Sequence, residues 1–196
     1  CKLTMVKAIC ETHRAMGHAG IVFVTHLLTA RVVGKLLGSQ WEIMSGGSAH
    51  GEDETHTPER NNEIVQRFNA GELDGLVCTQ VGYSSMDVYR ESCCYLVVVE
   101  ADGGIASAAQ RLGRVARSKR IAQMDSESED ALRERRLKCQ KVAKYYDLVT
   151  SGTEDVAAAE RRQRLFAVEG YGEETCIEPE TLLGVAAALG ATPPYT

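Results

Sequence analysis

Apolar residues along the chain alternate between two spacings. Leu3, Val6, Ile9, Cys10 and Met16 recur at helical intervals, and Gly17 ends the pattern as a C-cap. Ile21-Val22-Phe23-Val24 then runs without a polar break, as a strand buried on both faces does. Helical spacing returns from Leu27 to Leu37 and stops at Gly38, and Trp41 to Met44 predicts a second strand closed by Gly46-Gly47. Pro58 opens a helix at its first position, running to Phe68 and closing near Gly71. Leu76 to Thr79 and Tyr95 to Val99 are the third and fourth strands. This alternation predicts an α/β fold with a mostly parallel sheet and helices on both faces. Ligands of such sheets bind at the carboxyl ends of the strands. That rule groups His26, Gly46, Gln80 to Asp87 and Ala101 to Arg117 at one edge.

The stretch after the fourth strand carries the densest chemistry. On a helix, Gln110, Arg114 and Arg117 stand at i, i+4 and i+7 and share a face, while Arg111 points elsewhere. Guanidiniums projecting together suit an anion with several oxygens, because each offers a rigid fork of donors. A solvated basic face is the plainer alternative. Against it stand the adjacent glutamine, the room left by Gly113, and the apolar strand that runs into the segment. No G-x-x-x-x-G-K-[ST] phosphate loop occurs, so the chain is not expected to cradle a triphosphate by itself. Asp53-Glu54-Thr55-His56 spells a D-E-x-H box, but it follows a polar run instead of an apolar strand and reads as a solvated loop.

Composition narrows the partners. A net charge of −5 excludes a general polyanion binder, so any nucleic-acid surface must be local, with Arg111 to Arg120 its best candidate. The seven cysteines include no C-x-x-C pair. Cys78, Cys93 and Cys94 lie in apolar runs, as reduced, buried thiols of an intracellular protein do. The five histidines show no ligand spacing with cysteine, so surface or loop roles are expected and no metal site is. No apolar run is long enough to span a bilayer and no signal peptide is readable, so no membrane partner is expected. A first residue of Cys1 instead of Met suggests a fragment of a longer protein. At 196 residues the chain makes one domain, or one with an appendage.

Gln110-Arg111-Leu112-Gly113-Arg114-Val115-Ala116-Arg117-Ser118-Lys119 resembles the sixth motif of superfamily-two helicases, and most closely that of the xeroderma pigmentosum B (XPB) type. That family usually has leucine where this chain has Ala116. Ile21 to His26 resembles the fourth motif. Leu76 to Val88 resembles the fifth, with Val81-Gly82-x-x-Ser85-x-Asp87 a feature of the XPB type. Tyr145 to Thr153, Arg161 to Leu165 and Glu169-Gly170-Tyr171 resemble that type's carboxyl-terminal strand and helix. The resemblance covers residues 1–172 and implies the second of two RecA-like helicase lobes. Insertion-like stretches depart from it near 48–57 and 121–143; within the latter, Asp125 to Asp130 is an acidic block and Ala131 to Ala143 can form a charged helix. The tail 173–196, with weak helical spacing at Leu182, Leu183, Val185 and Ala186, falls outside it and is unassigned.

The resemblance implies a DNA-dependent ATPase and helicase that opens duplex in nucleotide excision repair and transcription initiation within the TFIIH complex, in the nucleus, or in the cytoplasm of a prokaryote. The resemblance also implies that ATP and Mg²⁺ are held mainly by a first lobe absent from this sequence. Arg114 and Arg117 are the expected arginine fingers, with Gln110 positioning the nucleotide. Asp87 is expected near the ribose or the opposite lobe, with Gly82 on the cofactor side. Thr79, Thr25 and His26 are the DNA-contact candidates, Thr79 because a hydroxyl at a strand's carboxyl end can donate to a phosphate. The expected partners are a single-strand/duplex DNA junction read without sequence preference, the first lobe, and TFIIH-like subunits. The second lobe of another superfamily-two translocase and a non-catalytic RecA-like interaction module are the alternatives. The isolated fragment is expected to be inactive.

Overall fold

The computed structural model describes residues 2–46, 57–79, 86–100, 143–168 and 176–188. In chain order the elements are α1 (Lys2–Ala15), β1 (Ala19–Phe23), α2 (Leu27–Leu37), β2 (Trp41–Met44), α3 (Pro58–Ala70), β3 (Gly75–Cys78), β4 (Cys93–Val98), β5 (Lys144–Asp147), α4 (Glu154–Val168) and α5 (Pro179–Ala188). The helix expected over Gln110 to Arg117, the acidic loop with its D-E-x-H string, and nearly all of the second insertion-like stretch lie outside the described residues.

Among the described residues the strands form one sheet in the order β2-β3-β1-β4-β5. Every pair is parallel, so all five carboxyl ends share one edge. The chain enters at the middle of the sheet, crosses to the edge at β2, returns to β3 and then adds β4 and β5 on the other side. β1 and β3 each have neighbours on both sides and bury every residue, with no alternation to read.

Each face has its own core. Ile21, Phe23, Leu76, Cys78, Leu96 and Val98 pack with Ile64 and Phe68 of α3. Val22, Val24, Val77, Tyr95 and Val97 pack with Val6 and Ile9 of α1 and Ala30 and Val33 of α2. Helix boundaries follow local chemistry. The Thr57 side chain caps α3 by accepting from the Arg60 N–H at 3.2 Å. Pro58 follows at the first turn, and Gly71 closes the helix with a φ of 89°. Gly17 turns the chain from α1 into β1 at a φ of 75°.

A row across the sheet explains two glycines inside strands. Trp41, Gly75, Gly20 and Tyr95 are aligned neighbours on β2, β3, β1 and β4. The Trp41 ring lies over Gly75 and the Tyr95 ring over Gly20, filling the space a Cβ would take. Aromatic side chains thus cover the positions where the strands have none. Tyr95 is fully buried and cannot swing aside, so Gly20→Ala is expected to destabilise the domain by about 1–3 kcal/mol through overpacking. Denaturant melts measure this, and an unchanged midpoint at unchanged slope would refute the packing argument.

At the far side of the sheet, α4 packs on β5. Tyr145 and Phe166 meet edge to face at 5.0 Å. Arg162, only 3% exposed, directs Nε and Nη2 to Asp147 Oδ2 at 2.8 and 2.7 Å. The tail whose spacing left it unassigned contains α5, which lies against α1 with Ala186 buried and Leu182 at the core margin.

Candidate nucleotide and nucleic-acid edge

Parallel pairing brings Ser45, Thr79, Val24, Val99 and Leu148 to one edge, one residue beyond each strand. The ladders continue there: the N–H groups of Thr79, Val24, Val99 and Leu148 donate to the carbonyls of Met44, Cys78, Phe23 and Val98 at 3.0–3.1 Å. Thr79 is therefore held rigidly at the carboxyl end of β3 and is only 7% exposed. Ser45 is buried beside it, and its hydroxyl finds no partner among the described residues.

Thr25 and His26 stand where β1 passes into α2, and the residue that organises them is Glu100. Glu100 Oε2 accepts from the N–H of Thr25 at 3.0 Å and of His26 at 3.4 Å, while Oε1 accepts from the Thr29 hydroxyl at 2.9 Å. The Thr25 hydroxyl also donates to the Glu100 carbonyl at 3.4 Å. His26 occupies the N-cap position but makes no side-chain cap. A carboxylate from the next strand satisfies the free N–H groups and complements the helix dipole. The usual anion site at a helix N-terminus is thus filled from within, and a phosphate arriving here would meet a carboxylate. Of the two candidates, His26 keeps an exposed side chain.

Asp87 departs from the expected grouping. Met86 and Val88 are buried while Asp87 and Tyr89 face outward. Asn69, near the end of α3, donates to the Asp87 carbonyl at 3.0 Å and accepts from the Tyr89 N–H at 3.1 Å. Arg90 extends this anchoring, with its guanidinium on the carbonyls of Phe68 and Leu73 and over the Phe68 ring. Asp87 is therefore tied to the closing turn of α3, toward the end of the sheet where β3 begins. The expectation that all of Gln80 to Asp87 lines the carboxyl edge fails for Asp87. The buried pair Met86 and Val88 draws the segment back along α3. Gly82, Gln110, Arg114 and Arg117 lie outside the described residues.

The described donors of this edge do not fit a triphosphate or its Mg²⁺. The two N–H groups at α2 and the Thr29 hydroxyl are taken by Glu100. The Lys2 ammonium, which reaches the edge, is taken by Asp155 at 2.7 Å and the Val99 carbonyl at 2.8 Å. What remains is a rigid rim of strand ends that a second body can supply or cover. Glu100 had no readable signal in the sequence, because its role depends on β4 lying beside β1.

A five-stranded parallel sheet in this order with helices on both faces is a RecA-like fold. The helicase conserved C-terminal domain model matches residues 1–119, and the chain belongs to that family. It is 28% identical over 116 residues to Endoribonuclease Dicer homolog 4 of Oryza sativa subsp. japonica, an alignment covering 56% of this chain and 7% of the rice protein. Three solved structures share the fold. The C-terminal domain of the DEAD-box protein Dbp5 superposes with a TM-score of 0.55 at 18% identity, covering 89% of this chain and 83% of that one. S. cerevisiae Dbp5 bound to RNA and ADP BeF3 gives 0.59 at 19%, covering 95% and 41%. The Pyrococcus furiosus Hef helicase domain gives 0.54 at 21%, covering 82% and 28%.

Proposed function

We propose that this chain is the second motor lobe of an ATP-dependent nucleic-acid helicase or translocase, acting with a first lobe that holds ATP and Mg²⁺. The observation that carries this reading is the Gln110-Arg111-Leu112-Gly113-Arg114-Val115-Ala116-Arg117 string, which lies within the matched span and follows β4 in the chain. Arg114 and Arg117 supply guanidiniums to the phosphoryl group transferred from ATP to water, and Gln110 positions the nucleotide. Asp87, exposed and set away from the rim, serves the face of the first lobe and not the ribose, and Gly82 serves the cofactor side. Thr79 and the exposed His26 serve the nucleic-acid strand, while Thr25, whose N–H and hydroxyl are held by Glu100, shapes that corner of the rim. Lobe closure on ATP and reopening after hydrolysis shift the two lobes' strand contacts relative to each other.

The finer assignment is an XPB-type enzyme acting on DNA in nucleotide excision repair and transcription initiation, with TFIIH-like partners, in the nucleus. Its support is the Val81 to Asp87 pattern and the segment from Tyr145 to Tyr171. A second reading takes RNA as the strand, favoured by the similarity to the rice Dicer homolog. The protein carrying both lobes separates them. Stimulation of ATP turnover by DNA with a duplex junction, and not by double-stranded RNA, is the expected result. The opposite preference overturns the XPB assignment and leaves the lobe assignment standing.

The 196-residue chain alone is expected to show no ATP turnover and weak, salt-sensitive binding to single strands. Each phosphate contact contributes roughly 0.7 to the slope of log affinity against log salt. Turnover above a buffer blank that is lost in Arg117→Ala would refute the shared-site reading.

A further inference from the structure

The edge opposite the proposed motor site holds a cluster that the helicase function does not use. His13, in the last turn of α1, is 1% exposed and is stacked on Tyr95 with ring centroids 4.0 Å apart. His18 lies just past the turn at Gly17, and its Nδ1 stands 3.0 Å from Nδ1 of His13. Cys94 comes from the start of β4. A ligand atom from each of the three lies within 4.8 Å of those of the other two. The surface or loop role expected for the histidines thus fails for His13, because α1 folds its last turn onto the sheet.

We propose that His13, His18 and Cys94 form a binding site for Zn²⁺, with the fourth position left to water or an incoming ligand. Two imidazoles and a thiolate are a borderline-soft donor set that suits this ion. Zn–N bonds near 2.0–2.1 Å and a Zn–S bond near 2.3 Å give tetrahedral edges of about 3.3–3.6 Å. Here the two Nδ1 atoms are 3.0 Å apart and all three ligand atoms lie within 4.8 Å of one another, so small side-chain shifts close the site.

Two independent features prepare the site. The first is the pairing of β1 with β4, which steps from Ala19↔Cys93 to Gly20↔Tyr95 and leaves Cys94 as an extra residue. Such a bulge re-aims one side chain and is rare between parallel strands. The neighbours of Cys94 go to the cores, Cys93 on the α3 face and Tyr95 on the α1 face, while Cys94 stays half-buried beside the histidines. The second is the Tyr146 hydroxyl on β5, 2.9 Å from His13 Nε2. Donation by Nε2–H to that oxygen leaves the Nδ1 lone pair for a metal and fixes the ring, as outer-shell partners of metal-bound histidines do. Lys144 opposes a cation, and the thiolate formed on binding offsets it. Without metal, the two facing Nδ1 atoms share one proton. Zn²⁺ takes over the His13 Nδ1 lone pair, the proton on His18 Nδ1 passes to that ring's Nε2 so that both imidazoles bind neutral, and the Cys94 thiol proton is released to solvent.

The test uses the full chain, stripped with a chelator. Added Zn²⁺ is expected to raise the melting temperature, and Co²⁺ to give the thiolate-to-metal charge-transfer band of a tetrahedral site. Cys94→Ser is expected to remove the band, and both Cys94→Ser and His18→Asn to weaken Zn²⁺ binding at least tenfold with the fold intact by circular dichroism. Cys176→Ser, at an exposed cysteine, is expected to change neither signal. No metal response in the wild-type chain, or a response that survives Cys94→Ser and His18→Asn, overturns the proposal. Should one of those variants misfold, the other's Zn²⁺ affinity decides.

Discussion

Arg117→Ala in the protein carrying both lobes is expected to lower nucleic-acid-stimulated ATP turnover by on the order of 10³-fold or more, with nucleotide affinity largely retained. The phosphate loop of the first lobe holds the ground-state nucleotide, whereas a finger acts on charge that develops only in the transition state. Loss of such a group lowers kcat and kcat/KM together and leaves binding nearly alone. Arg114→Ala is expected to behave the same way. Arg117→Lys recovers little, since an ammonium retains charge but lacks the planar fork of donors. A solvated surface arginine predicts a stability change within about 0.5 kcal/mol and ordinary turnover. Turnover and nucleotide affinity measured on the Ala and Lys variants separate the two accounts. Near-normal turnover in both would remove the finger assignment.

Arg162→Ala is expected to destabilise the lobe by about 3 kcal/mol, at the lower end of the cost of breaking a buried ion pair because Asp147 is partly exposed. Two guanidinium nitrogens converge on one Asp147 oxygen, and the variant leaves that carboxylate between β5 and α4 without its cation. Burial already pushes the Asp147 carboxyl up by more than Arg162 pulls it down, and removing Arg162 pushes it higher. A carboxyl raised in the folded state above its unfolded value costs stability at neutral pH. That cost falls as pH drops and the group takes its proton. The difference between variant and wild type is therefore expected to be largest at neutral pH and to shrink on acidification. Asp147→Asn in the Arg162→Ala background is expected to recover part of the loss at neutral pH. Melts at two pH values check both statements, and a loss independent of pH would point to packing around Arg162 instead.

How far the sequence reaches can be judged element by element. Trp41 to Met44 and Leu27 to Leu37 are the elements found, at those bounds, because continuous apolar runs and helical spacing are local signals. The starts and ends at Pro58, Gly71 and Gly17 are equally local: a ring that presets φ, and residues that accept a positive φ. The α/β class follows from the alternation alone. α5 shows only weak helical spacing in the sequence, at Leu182, Leu183, Val185 and Ala186, and its packing against α1 completes the element.

Other features required the tertiary structure. Glu100 caps a helix 74 residues earlier in the chain, since β4 lies against β1 in space. Gly20 and Gly75 read as weak points until the rings of Tyr95 and Trp41 are seen across them. Asp87 reads as part of one loop with Gly82, yet buried Met86 and Val88 draw it toward α3. His13, His18 and Cys94 show no ligand spacing because a metal reads distance in space. A helix end, a turn and a bulged strand bring together residues that lie as much as 81 positions apart, 94 less 13. Local periodicity and punctuation thus determine which elements form and where they stop. Which side chains meet across the sheet is decided by strand order and register, quantities that no local window of sequence contains.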